Sequence, residues 1–214
     1  MSLNMNFEKE LKNVESKVVI ENMMKILEDR IHDNKSEMNK IIFYLLLCFL
    51  SFFLIKYSFL DEISLGPIKL KINLFFYKII PIVFSFFYIK YLTLWFLIVR
   101  QKSMYKILFK KNFKIENEFI NQFFYPYSFF DNVIDSFSSK RGFFMDKIFF
   151  ILISIFLLTP YLILIIFLKD IYSSTDFDKL YDLITFIVPM ILTIYIIFYT
   201  VYKIKEIINN QKIK

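Results

Sequence analysis

Apolar positions gather into four windows, Ile41–Leu60, Ile79–Val99, Ile148–Leu168 and Leu183–Tyr202, with charged stretches between them. At about 1.5 Å rise per residue, each window is long enough for a helix to cross roughly 30 Å of hydrocarbon. The pattern predicts an all-α integral membrane protein with four transmembrane helices arranged as two hairpins. The first window has an uninterrupted core, Ile41–Ile55, and reaches Leu60 if Lys56 extends its amine to the interface. Ile148–Leu168 carries no charge at all.

Outside the windows the periodicity is helical at the N-terminus. Residues 5–38 hold two apolar stripes, Phe7, Leu11, Val14, Val18 and then Ile20, Met24, Leu27, Ile31. The stripes lie about 140° apart around a helix, which allows a bend near Val18–Glu21 or two separate contacts. This arm packs on the connector, binds a partner or self-associates, or lies on the membrane surface. After the first window, Gly66–Pro67 marks a turn and IKLKINLF alternates like an extended segment, with no second strand apparent to pair with it. Pro81 falls in the first turn of the second window, where its missing N–H is tolerated. That helix continues past Arg100, placing Lys102, Lys106, Lys110 and Lys114 on a basic stripe that is solvated or lipid-facing. Residues 115–146 are dense in aromatics around Pro126, suiting a membrane interface or a helical bundle. Pro160 and Pro189 are candidate kinks. Tyr195 and Tyr199 need hydroxyl partners, and Tyr202 is an interface anchor.

Composition agrees with the windows: 57% of the 214 residues are hydrophobic and 21% aromatic, more than a soluble domain can hide. The chain has no alanine, and its two glycines, Gly66 and Gly142, lie outside the windows. Small-residue seams are therefore unavailable, and the helices must pack through large side chains. Lysine and arginine number seven in residues 1–40, nine in 100–147 and four in 203–214, against three in 61–78 and two in 169–182. The positive-inside rule then makes residues 1–40 a cytoplasmic arm, 61–78 and 169–182 outer loops, 100–147 a cytoplasmic connector and 203–214 a cytoplasmic tail. The implied location is the cytoplasmic membrane. The N-terminal forty residues predict no cleaved signal, so the first window serves as an uncleaved one. The basic face would attract anionic lipid. No nucleic-acid-binding module accompanies the charge.

Candidate chemistry is sparse. Cys48 is the one cysteine and His32 the one histidine, and no HExxH, CxxC, GxSxG or phosphate-loop motif occurs. The windows contain no Asp, Glu or His, which argues against a carboxylate proton relay. The expectation is a non-enzyme without cofactor or metal. Lys90 stands out, near the middle of Ile79–Val99. At the bilayer midplane it would line a polar cavity or an oligomeric pore and contact anions. If the helix begins near Leu74 instead, Lys90 slides toward the cytoplasmic interface.

The polar N-terminal helix, the short outer loop with Ser64-Leu65-Gly66-Pro67 and the long basic connector resemble small four-span membrane accessory and effector proteins of bacterial antiphage systems, including CRISPR-linked ones. That resemblance implies an oligomeric pore-forming or membrane-perturbing effector controlled by a cytoplasmic partner. The alternative is a non-conducting anchor or adaptor that recruits such a partner. On the pore reading, Lys90→Leu should alter single-channel conductance or selectivity; unchanged conductance and cellular phenotype would remove Lys90 from any pore.

Overall fold

The computed structural model describes residues 11, 16–57, 62–65, 68–71, 74–113, 144–176 and 178–212. Among these, four long helices carry the fold: α1 Lys17–Lys56, α2 Leu74–Phe113, α3 Phe144–Ser174 and α4 Leu180–Lys212. Three helical stretches, Lys17–Lys56, Tyr77–Phe113 and Leu180–Glu206, are long and apolar enough to cross a membrane. The connector between Phe113 and Phe144, with its aromatic segment, lies outside the described residues, as do Lys114 and Gly66–Pro67.

Between α1 and α2 stand two short strands, β1 Glu62–Leu65 and β2 Ile68–Lys71, paired antiparallel with Glu62 opposite Lys71 and Leu65 opposite Ile68. This corrects the expectation of an unpartnered extended segment. Glu-Ile-Ser-Leu is too short to register as an alternating run, yet its four residues match the alternation of Ile-Lys-Leu-Lys across the pair.

The arm and the first apolar window form one uninterrupted helix, so α1 has no break at Val18–Glu21. Its buried positions continue the second N-terminal stripe: Ile20, Met24, Ile31, Met38, Ile41, Leu45 and Phe52 are buried, with half-buried Leu27, Asn34 and Cys48 filling the gaps. The spacing is 4-3 throughout, the interval of a helix that presents one seam to a neighbour. Val18, from the other stripe, is 65% exposed. In α2 the same interval runs through Tyr77, Pro81, Phe84, Tyr88, Tyr91, Trp95, Ile98, Lys102, Tyr105 and Phe109, all buried except half-buried Trp95. Aromatics replace the small residues that the chain lacks.

The chain divides into two compact units. Unit 1 comprises Met1–Ser36, Leu94–Leu158 and Ile208–Lys214. Its core joins Leu11, Ile20 and Met24 to Tyr105, Leu108 and Phe109, flanked by Leu27 and Ile107. Asn34 donates to the Gln101 side chain at 2.9 Å, and the Lys111 amine donates to the Leu11 carbonyl. Burial, with the nearby Glu28 carboxylate, pushes the Tyr105 phenol above its ordinary range.

Unit 2 comprises Glu37–Thr93 and Thr159–Ile207. Its ring contacts run Phe52–Tyr77 at 5.7 Å and Tyr44–Phe87 at 5.2 Å between α1 and α2, which fixes an antiparallel order. Phe84–Phe167 at 5.4 Å and Tyr88–Tyr161 at 5.3 Å give the same order for α2 and α3. Tyr172–Phe186 at 5.6 Å and the 2.6 Å hydrogen bond between Tyr161 and Thr200 repeat it for α3 and α4. Phe52 is the hub, fully buried and 4.1 Å from Phe167 between ring centroids.

Leu108 is fully buried in the unit 1 core. Leu108→Ala should destabilise that packing by about 2–5 kcal/mol. Hydrogen exchange should report it as faster exchange at residues 20–31; unchanged protection there would contradict the assignment of this core.

Candidate functional site

The polar chemistry of unit 2 collects in two layers. One is the pair between the Lys90 ammonium and the Glu37 carboxylate, 2.5 Å apart. Glu37 lies one turn before Ile41, outside the first apolar window, so α1 brings a carboxylate to the edge of that window. Lys90 is 56% exposed and Glu37 45% exposed at the side chain. The windows themselves hold no carboxylate, and the partner of Lys90 comes from the charged stretch just before the first one. The reason is geometric: α2 begins at Leu74, five residues before the apolar window assigned to it, and its register sets Lys90 level with Glu37.

The second layer gathers the ends of all four helices. Lys56 at the end of α1 meets Asp170 of α3 at 2.5 Å. Lys78, in the second turn of α2, pairs with Asp182 near the start of α4 and donates to the Ser174 carbonyl at 2.9 Å. Tyr77 and Ser174 share a hydroxyl–hydroxyl bond beside it. The second Asp182 oxygen accepts from the Asp176 backbone N–H at 3.2 Å, so both its oxygens are used. Lys78 is 6% exposed and Asp182 3%. Burying two charges costs several kcal/mol of desolvation, and only close pairing with further hydrogen bonds offsets it. In the α3–α4 turn, Lys179 holds the exposed Asp176 carboxyl below the usual range by a 2.8 Å contact.

From Glu37 to Lys56, α1 rises about 28 Å over nineteen residues, close to the roughly 30 Å of a hydrocarbon core. The layers therefore stand where the edges of an apolar slab belong. Phe52 contacts Tyr77, which places Lys78 about one and a half turns, or ~7–8 Å, inside the level of Lys56. That depth explains why Lys78 is enclosed by protein whereas Lys56 is partly exposed.

Between the layers, hydroxyls are spent on helix carbonyls. Ser85 donates to the Pro81 carbonyl at 2.7 Å and Thr193 to the Pro189 carbonyl at 2.7 Å. Helix α4 runs through Pro189 and α3 through Pro160. Pro189 is fully buried and Pro160 half-buried. Tyr195 and Tyr199 stack at 5.9 Å, the Tyr199 hydroxyl lies 3.5 Å from that of Thr93, and Tyr202 is 65% exposed.

The basic stripe in α2 divides on inspection. Lys102 is 6% exposed, Lys106 half-buried and Lys110 exposed. A four-residue spacing drifts about 40° per step around a helix, so the three lysines do not share one environment. Lys102 falls on the 4-3 seam of α2, which corrects its reading as solvated or lipid-facing. Local sequence does not reveal the pairing of Lys56 and Lys78 with Asp170 and Asp182, although Lys56 lies near the end of the first apolar window and the other three charges flank windows. Among the described residues, no group of three or more His, Cys, Asp or Glu is placed to hold a metal ion.

Comparison with protein-family profiles, with curated proteins and with solved structures finds no match. If Lys90 lies at the slab edge, Lys90→Cys in a Cys48→Ser background should react in membranes with a water-soluble maleimide about as readily as Lys40→Cys, whereas Val83→Cys should not. Protection of positions 90 and 83 alike would contradict that placement.

Proposed function

We propose that the chain is a four-span protein of the cytoplasmic membrane, built as two hairpins, that anchors a cytoplasmic protein partner. The termini and the 100–147 connector lie in the cytoplasm on this reading, following the distribution of lysine and arginine. Anionic lipid meets the same basic face. The observation that carries the anchor reading is an apolar stripe on the part of α1 outside the membrane windows. Val19, Met23 and Ile26 are exposed there at 4-3 spacing, while Ile20 and Met24 fill the unit 1 core. Water-facing apolar residues at that interval suit a partner helix laid along α1.

An oligomeric pore-forming or membrane-perturbing effector is the second reading. The observation favouring it is the outward stripe of α4, Ile191, Tyr195, Phe198 and Tyr202, also at 4-3 spacing. A second copy could pack there, with tyrosine hydroxyls as polar contacts. It ranks second because Lys90, the cation that would line such a pore, already has Glu37 as its partner.

Purified protein in planar bilayers, together with affinity capture from the native cytoplasm, separates the two. The anchor reading expects no reproducible channels, and a captured protein that is lost from Val19→Asp/Met23→Asp/Ile26→Asp while membrane insertion is retained. Reproducible unitary currents, with capture unaffected by the triple variant, would replace it with the pore.

A further inference from the structure

The second ionic layer has a division of labour that membrane embedding alone does not require. Its cations, Lys56 and Lys78, come from α1 and α2, and its carboxylates, Asp170 and Asp182, from α3 and α4. The Ser174 carbonyl that accepts from Lys78 also belongs to α3. The Lys90–Glu37 pair, by contrast, stays within the first two helices. The layer thus joins the first helix pair to the second by opposite charge, at two points.

Apolar packing supplies little of that specificity in a bilayer, because lipid tails are as apolar as leucine and phenylalanine. The chain also lacks the glycine and alanine seams that fix register by close backbone approach. Turning α3 and α4 by one residue position would carry Asp170 and Asp182 about 100° away from their lysines. Two pairs at different depths therefore specify one register where the surrounding Phe, Leu and Ile contacts admit several.

We infer that Lys56–Asp170 and Lys78–Asp182 are the recognition code by which the α3–α4 pair docks on the α1–α2 pair of the same chain. This goes beyond the anchor and pore readings and is independent of which holds.

Charge exchange in the full chain tests it, read as the monodisperse fraction after mild detergent extraction. K78D and D182K alone should each lower that fraction at least about tenfold, since each leaves like charges facing at a buried site. The matched double variant K78D/D182K should recover most of the loss. The mismatched double variant K78D/D170K, which leaves like charges facing in both pairs, should recover none. A matched double variant as poor as its singles, or a mismatched one as good as the matched, would overturn the code. Co-expressed full-length K78D and D182K copies should not rescue each other. Their rescue would show that the docking runs between chains and would overturn the assignment to one chain.

Discussion

A lysine cannot remain bare in hydrocarbon, and the arrangement of unit 2 follows from how three lysines avoid it. Lys56, Lys78 and Lys90 border or interrupt the apolar windows of α1 and α2, and each meets a carboxylate from another helix. An uncompensated lysine at the bilayer centre costs about 2.5–3.5 kcal/mol by insertion measurements, enough to decide helix depth and register. Pairing offsets that cost, and between Glu37 and Lys56 it leaves about 28 Å of α1 free to be apolar.

With charge confined to two layers, the interior is left to shape. The 4-3 seams of α1 and α2 are filled by Phe52, Tyr77, Phe84, Tyr88 and Tyr91, with ring centroids 4.1–6.4 Å apart in the contacts around them. Such aromatic packing contributes area and weak directional preference, and the buried Tyr77 hydroxyl finds a partner at Ser174. Unit 1 applies the same interval to a different task, joining Leu11, Ile20 and Met24 to Tyr105, Leu108 and Phe109. A single helical repeat thus serves both the apolar window of α1 and the charged arm before it.

The sequence is readable wherever one helix decides the outcome. The extension of α2 beyond Arg100, the burial of the Ile20–Met24–Leu27–Ile31 stripe and the apolar windows of α1, α2 and α4 all follow from local periodicity. What periodicity cannot carry is pairing across more than a hundred residues. Lys78 and Asp182 are 104 positions apart, and each alone reads as an ordinary loop charge beside an apolar run. The β1–β2 pair was hidden because four residues of Glu-Ile-Ser-Leu alternate too briefly to stand out. Lys102 differs for a related reason: its four-residue spacing from Lys106 suggests a surface stripe, whereas the 4-3 seam of α2 carries it inward. Lys90 is the most instructive, since its depth depends on where α2 begins and on an acid in α1.

Depth is therefore the quantity to measure. Spin labels placed singly at Asn39→Cys and Ile89→Cys in a Cys48→Ser background, and at native Cys48, can be ranked by oxygen and nickel accessibility in phosphatidylcholine vesicles. Paired layers at the slab edges predict that positions 39 and 89 share a shallow depth and that position 48 is much deeper. A label at position 89 as deep as the one at 48 would put Lys90 in the bilayer centre and contradict the account.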